Sequence, residues 1–343
     1  MTFVDLVHFR PENSSVARRR VSLLSIFICW LSLPASATAV IARDGPVGTL
    51  DNAKLTSPTL GEEIAYRVYL PHGYDRSTKR YSVLYMLHGR GDNLTAWSRV
   101  IDLLDQMIAA GKMPPVIAIM PDAPWSQRAS YYVDSQYAGG PSRGRPVESA
   151  FINDLIPHVD VTYRTIADRN GRAIVGYSMG GYGAIRYSLA HPDLFGAAIV
   201  LSPAAYTPLP PRDSSARDFG AFGKGNTLFN DDIYQALNYP SLLESFEATR
   251  LQLAMFIAVG DDEVKNPLAE DQYKDIDMEA HLLFTRVSRV RGISAELRVY
   301  DGGHDWKVWR RGFSEGMRVI GKRLSAPIVN RASTPVHYRP NIR

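Results

Sequence analysis

The sequence has almost no cysteine: Cys29 is the single one in 343 residues. One thiol excludes an internal disulfide, and it excludes the zinc and iron–sulfur sites that several cysteines build within one chain. The 39 basic and 35 acidic side chains nearly balance, and no basic stripe follows the N-terminal segment, which argues against nucleic-acid binding. With 45% hydrophobic and 22% charged residues, the chain as a whole has the composition of an ordinary globular protein.

The N-terminal segment has the pattern of a secretory signal peptide. Three arginines, 18–20, precede an apolar run over 21–33, and the small residues Ala35 and Ala37 follow. The run is shorter than the ~20 apolar residues that a membrane-spanning helix needs. We therefore expect residues 1–37 to be removed on export, which leaves a secreted or periplasmic protein with no stable membrane span.

Strand-like and helix-like segments alternate along the rest of the chain. Short apolar runs predict strands over 63–70, 81–87, 116–120, 173–176, 197–201, 253–259 and 295–300. Helical spacing predicts helices over 147–163, 182–190, 271–291 and 312–324. This order predicts an α/β fold, in which a mostly parallel central sheet has helices on both faces.

The alternation also defines the domain organisation. It predicts one domain over residues 49–324, followed by a mobile tail over 325–343 that lacks any periodicity. Residues 203–249 separate two predicted strands and form an insertion of the length that lids and binding loops commonly have.

A glycine-flanked serine stands where one predicted strand meets a helix. Gly176-Tyr177-Ser178-Met179-Gly180 is a G-x-S-x-G pentapeptide directly after a short apolar strand. Such a turn is so tight that only glycine fits around the serine, and it projects the hydroxyl above the carboxyl edge of the sheet. The context predicts that Ser178 is a nucleophile.

A serine nucleophile needs a base and an orienting acid, which in this architecture follow it in the order acid, then histidine. Of the histidines after Ser178, only His304 comes directly after a predicted strand. The preceding strand ends in Gly260-Asp261-Asp262-Glu263, and one of these carboxylates should hold the imidazole. The spacing from the glycine favours Glu263, and Asp262 is the alternative.

The oxyanion that forms during acyl transfer needs backbone N–H donors. We expect one from Met179, directly after the nucleophile, and another from Arg90 or Gly91 in the loop after strand 81–87. Aromatic side chains are more often core than pocket. Three of them are candidates to line an acyl or aryl pocket: Trp125, Tyr132 and Tyr206.

Six segments together resemble the esterase D and feruloyl esterase-like family of α/β-hydrolases. They are YLPHGYD, YSVLYMLHGRGD, FINDLIPHVDVTYR, IVGYSMGGYGA, FIAVGDDE and YDGGHDWKVW, in the order that the family has them. The resemblance implies an α/β-hydrolase fold with Ser178 as nucleophile and His304 as base. It places the acid three residues after the strand-ending glycine, at Glu263, although aspartate is commoner there and keeps Asp262 open.

These patterns predict an exported serine esterase that hydrolyses carboxylic esters through an acyl-enzyme. The expected substrate is a small-molecule or carbohydrate ester, and no metal or organic cofactor is implied. One alternative is an acyltransferase that uses the same three residues with a sugar or alcohol acceptor. The other is a non-catalytic binding module on a hydrolase scaffold, since a fold alone does not establish activity.

Overall fold

The computed structural model describes residues 46–140, 143–263 and 275–324. The predicted signal peptide (1–37), the predicted tail (325–343) and the first residues of the helix predicted over 271–291 lie outside this part. Within the described residues, no helix combines the length and the apolar character that crossing a bilayer requires.

The described residues contain ten strands. They are β1 Thr49–Ser57, β2 Glu62–Leu70, β3 Ser82–Leu87, β4 Val116–Pro121, β5 Gln136–Tyr137, β6 Arg172–Tyr177, β7 Ala197–Leu201, β8 Lys224–Gly225, β9 Leu253–Gly260 and β10 Ile293–Tyr300. Eight of these strands form one central sheet in the order β1-β2-β4-β3-β6-β7-β9-β10. β1 and β2 form an antiparallel hairpin, β2 is antiparallel to β4, and the six strands from β4 to β10 are parallel. The short strands β5 and β8 pair with each other outside this sheet.

Helices cover both faces of the sheet. They are α1 Ile101–Ala109, α2 Trp125–Arg128, α3 Val147–Ala150, α4 Ile156–Thr162, α5 Met179–Ala190, α6 Asp231–Leu237, α7 Leu243–Thr249, α8 Ile276–Val287 and α9 Trp306–Leu324. Successive residues of a strand point to opposite faces. Leu84 and Met86 accordingly pack on the side of α1 and α9, and Tyr85 and Leu87 pack on the side of α5 and α8. The predicted α/β fold, with a mostly parallel sheet between helices, is confirmed.

Several element boundaries differ from the predicted ones. α5 begins at residue 179 rather than 182, because two glycines in its first turn weaken the helical pattern there, and α9 begins at 306 rather than 312. The helix predicted over 147–163 is α3 and α4 joined by a π-helical turn, with Pro157 in the first turn of α4. β1 was not predicted, since it is a mostly exposed edge strand without an apolar run.

The insertion over 203–249 is a folded segment that contains α6, α7 and β8. Its residue Phe222 is fully buried and packs against Tyr131 and Tyr182, with ring centroids 5.3 and 5.6 Å apart. Tyr182 belongs to α5, the helix that Ser178 precedes. The insertion therefore lies against the helix that carries the candidate nucleophile.

Candidate active site

Ser178 occupies the sharp turn between β6 and α5. Its backbone has φ +55° and ψ −122°, a conformation that non-glycine residues rarely adopt. A Cβ at Gly176 would lie 1.9 Å from the carbonyl oxygen of Gly180, and one at Gly180 would lie 2.3 Å from that of Leu87. The two flanking glycines are therefore required by the close approach of the backbone, and the serine is held at the carboxyl edge of the sheet.

His304 joins Ser178 to a carboxylate. Its Nε2 lies 2.9 Å from Ser178 Oγ, and its Nδ1 lies 2.7 Å from Glu263 Oε2. The imidazole is about one-third exposed, whereas the carboxylate is 1% exposed. β6, β9 and β10 thus bring together, at one edge of the sheet, three residues that are far apart in the sequence.

The hydrogen-bond pattern determines the imidazole tautomer. An ionised carboxylate only accepts hydrogen bonds, so Nδ1 of His304 must carry the proton that faces Glu263. In the neutral imidazole, Nε2 is then the acceptor and can take the proton of the Ser178 hydroxyl. This is the tautomer that general-base activation of a serine requires.

Of the two carboxylates that the sequence left open, Glu263 contacts the imidazole. Asp262 is exposed, and its backbone N–H donates to the carbonyl of Gly302. Asp261, Asp262 and Asp301 do have ligand oxygens within 4.8 Å of one another, but all three are exposed. Because Lys307 pairs with Asp301 at 3.0 Å, this is a solvated charge cluster and not by itself a metal site.

Two residues that sequence reasoning missed lie behind the carboxylate. Ser202 Oγ donates to Glu263 Oε1 at 2.6 Å, and Trp309 Nε1 donates to Ser202 Oγ at 3.0 Å. The backbone N–H of Gly260 also donates to Oε1, at 2.8 Å. The one available signal was position, since Ser202 directly follows a buried strand at the same sheet edge as Ser178.

Arg90 and Gly91, the two candidate oxyanion donors in the loop after β3, differ in whether their backbone N–H groups are already bonded. The N–H of Gly91 donates to the carbonyl of Arg128 at 3.1 Å, so it is already occupied. The N–H of Arg90 donates to no acceptor among the described residues. Met179 is the first residue of α5, and the first N–H groups of a helix have no intrahelical acceptor. Among the described residues, the N–H groups of Met179 and Arg90 therefore remain available to a ligand at this edge of the sheet, whereas that of Gly91 does not.

A buried histidine supports this loop. His88 is fully buried, and burial holds its pKa below the ordinary value, so the ring is neutral. Its Nδ1 donates to the carbonyl of Gly89 at 2.8 Å, and its Nε2 accepts from the N–H of Ala123 at 3.2 Å. Both ring nitrogens are committed to backbone groups, which makes His88 a structural residue.

The three aromatic pocket candidates lie in different surroundings. Tyr132 is 1% exposed, and its hydroxyl donates to the carbonyl of His88, so it braces the loop from within the core. The indole N–H of Trp125 donates to Glu62 of β2. In the sheet, β2 lies three strand positions, or about 14 Å, from β6, the strand that precedes Ser178. Of the three, Tyr206 is the one that lies within two residues of a backbone contact with Ser178.

Tyr206 belongs to the insertion and closely follows the point where the insertion contacts Ser178. The N–H of Ala204, two residues earlier, donates to the carbonyl of Ser178 at 3.1 Å. Burial raises the pKa of Tyr206 to about 12. Its hydroxyl is therefore protonated at neutral pH and can donate a hydrogen bond.

Comparison with known proteins places this chain in a family. A sequence profile described as "Putative esterase" matches residues 57–320. The chain is 32% identical over 190 residues to an endo-1,4-beta-xylanase/feruloyl esterase of Xylanibacter ruminicola, which covers 52% of this chain and 25% of that protein. It is 34% identical over 170 residues to an esterase of Mycobacterium tuberculosis, which covers 49% of this chain and 33% of that protein. The chain thus spans a third or less of the length of these curated relatives.

Solved structures share the fold. A ferulic acid esterase superposes with a TM-score of 0.64 at 25% identity, over 81% of this chain and 99% of that one. An S-formylglutathione hydrolase from Agrobacterium tumefaciens superposes with a TM-score of 0.60 at 17% identity, over 82% of this chain and 97% of that one. The predicted resemblance is confirmed, and since the profile covers most of the chain, the protein belongs to the esterase family described as "Putative esterase".

Proposed function

We propose that this protein is an exported serine esterase that hydrolyses carboxylic esters through an acyl-enzyme. The observation that carries the proposal is the hydrogen-bonded chain from Ser178 through His304 to Glu263, with Ser178 in the strained turn at the sheet edge. Membership of the esterase family supports the same chemistry. In this assignment Glu263, and not Asp262, is the acid of the triad.

The geometry supports a two-step acyl transfer. His304 Nε2 takes the proton of Ser178 as Oγ attacks the ester carbonyl, and Glu263 stabilises the imidazolium that forms. The N–H groups of Met179 and Arg90 hold the oxyanion, and His304 then protonates the departing alcohol. A water molecule that His304 deprotonates attacks the acyl-enzyme in the second step and releases the acid.

Aromatic acyl esters of carbohydrates are the substrate class that we propose. One curated relative is named a feruloyl esterase, and one solved relative a ferulic acid esterase. On this chain the insertion contacts the carbonyl of Ser178 through the N–H of Ala204, and the guanidinium of Arg90, in the loop after β3, lies 5.9 Å from the ring centroid of Phe219 in the insertion. An aromatic side chain of the insertion that packs against the loop after β3 suits an aryl acyl group.

Export is the part of the proposal that rests on sequence alone. The arginine-led apolar run over 21–33 and the small residues after it support cleavage near residue 37. Expression of the full chain and N-terminal sequencing of the protein recovered outside the cytoplasm tests it. A protein that retains residues 1–37 in the cytoplasm would contradict export and leave the esterase assignment intact.

Labelling with a fluorophosphonate probe tests the catalytic assignment. Wild-type protein should become labelled at Ser178, and Ser178→Ala should lose both labelling and turnover while its thermal unfolding temperature stays near the wild-type value. Nitrophenyl esters of increasing chain length, methyl ferulate and acetylated sugars then define the acyl preference. Folded wild-type protein that does not label would contradict the enzymatic proposal and favour a binding module.

A further inference from the structure

Ser202 is a buried serine in a strained conformation next to the triad. It directly follows β7, is fully buried, and has φ +43°, in the left-handed region that side-chain-bearing residues rarely adopt. Its N–H donates to the carbonyl of Ala258 in β9 at 2.7 Å, so the backbone remains tied to the sheet at this bend. Strain of this kind persists where the surrounding structure requires it, and it clusters at functional sites.

The partners of the Ser202 hydroxyl determine the direction of each hydrogen bond. The indole N–H of Trp309 can only donate, so Ser202 Oγ accepts at this 3.0 Å contact. The single hydroxyl proton then points to Glu263 Oε1, 2.6 Å away. Trp309 thereby commits the proton of Ser202 to the carboxylate.

Two donors hold the same carboxylate oxygen. Glu263 Oε1 accepts from Ser202 and from the backbone N–H of Gly260, at 2.6 and 2.8 Å. Its other oxygen, Oε2, faces His304 Nδ1. Glutamate has one more side-chain torsion than aspartate, so a glutamate acid can rotate away from the imidazole more easily. The two donors restrain that rotation.

We infer that Ser202, oriented by Trp309, is a positioning residue for the reaction. It fixes the rotation of the Glu263 carboxylate, so that Oε2 remains on Nδ1 of His304 throughout the proton transfers. The inference rests on the proposed function, because it assigns Ser202 a role in that same site.

Removal of the hydroxyl tests the inference first. Ser202→Ala should lower kcat about tenfold, the effect of one hydrogen bond to a charged group, with KM within about twofold of wild type. Ser188→Ala is the matched control, because Ser188 is also fully buried but donates to the carbonyl of Ile185 within α5. This control should keep wild-type kcat. A Ser202→Ala enzyme that is folded and has wild-type kcat would overturn the inference.

A double-mutant cycle separates positioning from a general structural effect. If Ser202 acts only through Glu263, Ser202→Ala should cause no further loss of kcat in a Glu263→Gln background. A loss that multiplies with that of Glu263→Gln would mean that Ser202 supports the site by another route, and would overturn the inference.

Trp309→Phe supplies a second variant if Ser202→Ala does not fold. It removes the indole N–H and keeps an aromatic ring against Tyr177, where the centroids are 4.3 Å apart. We expect a two- to fivefold loss of kcat, again absent in the Glu263→Gln background. In proton NMR spectra, the low-field Nδ1–H resonance of His304 should broaden in both variants, since a mobile carboxylate lets this proton exchange faster. A resonance as sharp as that of wild type would overturn the inference.

The same experiments distinguish failure of the inference from failure of the proposed function. Wild-type protein that neither labels at Ser178 nor turns over esters would contradict the proposed esterase function itself. The other case is wild-type protein that both labels and turns over esters, with a slow Glu263→Gln variant and a Ser202→Ala variant as fast as wild type. This result would contradict only the positioning role of Ser202 and leave the proposed function intact.

Discussion

Glu263 presents its carboxylate to His304 across 2.7 Å, while the adjacent Asp262 points into solvent. The difference arises at the end of β9, where the N–H of Asp262 donates to the carbonyl of Gly302. This bond ties the chain after β9 to the loop between β10 and His304. The turn after β9 buries the third residue after Gly260 and exposes the second. A glutamate therefore occupies the position from which a carboxylate can orient the imidazole.

Glu263→Gln should lower kcat by about 10³- to 10⁴-fold with little change in KM. The amide cannot stabilise the imidazolium, and its NH₂ group disfavours the Nδ1–H tautomer of His304. Asp262→Asn is the matched control and should lose less than about twofold, because its side chain is exposed. Steady-state kinetics on a nitrophenyl ester measures both, and a larger loss in Asp262→Asn would transfer the acid role to that residue.

The sequence predicted seven of the eight strands of the central sheet, and it indicated two residues, Ser178 and His304, that the structure brings together in the candidate site. Buried parallel strands are apolar throughout, so β6 is easily recognised, and Ser178 directly follows it. His304 follows β10, an edge strand with polar residues at several of its exposed positions, and its place shortly after a strand end was the signal that indicated it. The spatial order of the strands, in which β4 lies between β2 and β3, comes from chain connections that no local pattern encodes.

The rest of the site depends on tertiary contacts. Three carboxylates follow β9 in succession, and only the packing of the loop decides that Glu263 is buried. Tertiary contacts also determine the role of Ser202, a single hydroxyl that belongs to no sequence motif. They likewise determine that of Gly91, whose N–H donates to the carbonyl of Arg128, 37 positions later. Tyr132 was a pocket candidate, but its burial is set by the helix and loop that cover it.

Tyr177→Phe should weaken oxyanion stabilisation. The Tyr177 hydroxyl donates to the carboxylate of Asp92, and the N–H of Asp92 donates to the carbonyl of Gly89, which closes the loop that contains Arg90. Burial and this hydrogen bond raise the pKa of Tyr177, so the hydroxyl remains a donor. We expect kcat/KM to fall about tenfold, as for one charge-assisted hydrogen bond.

Tyr187→Phe is the control for that variant. The Tyr187 hydroxyl is buried and has no hydrogen-bond partner among the described residues, so its removal should leave kcat/KM unchanged and stability unchanged or slightly higher. Equal kinetics in the two variants would mean that the bond between Tyr177 and Asp92 does not support the oxyanion loop.

Gly176→Ala should abolish activity by preventing the nucleophile turn from forming. The added Cβ would lie 1.9 Å from the carbonyl oxygen of Gly180, and backbone atoms on both sides would have to move. Gly321→Ala in α9 is the control, since its nearest neighbour would be 3.6 Å away and alanine favours a helix by about 1 kcal/mol. Thermal unfolding and probe labelling report both effects. Wild-type labelling of Gly176→Ala would contradict the tight approach seen here.

Glu148→Gln should destabilise the protein in a pH-dependent manner. Glu148 in α3 pairs with Arg186 of α5 and with His191, the residue directly after α5. Arg186 also donates to the carbonyl of Leu237 at the end of α6. Burial opposes ionisation of Glu148, but the hydrogen bond from His191 and the charge of Arg186 outweigh it and hold its pKa below the ordinary value. A carboxylate whose pKa is lowered on folding adds stability above its unfolded pKa, and this stability is lost as the pH falls through the folded value.

The free energy of unfolding of Glu148→Gln should therefore be lower than that of wild type by about 3 kcal/mol at pH 7, since Arg186 loses a buried partner. The difference should begin to shrink as the pH falls below about 4.3, the pKa of an unperturbed glutamate, and should go on shrinking until the folded wild-type carboxylate is also protonated. Urea unfolding at several pH values measures it. Glu63→Gln is the control, because the pair of Glu63 with Lys54 is exposed and such pairs contribute less than about 1 kcal/mol. A difference of the same size at pH 7 and pH 3 would mean that the effect of Glu148 is one of packing and not of charge.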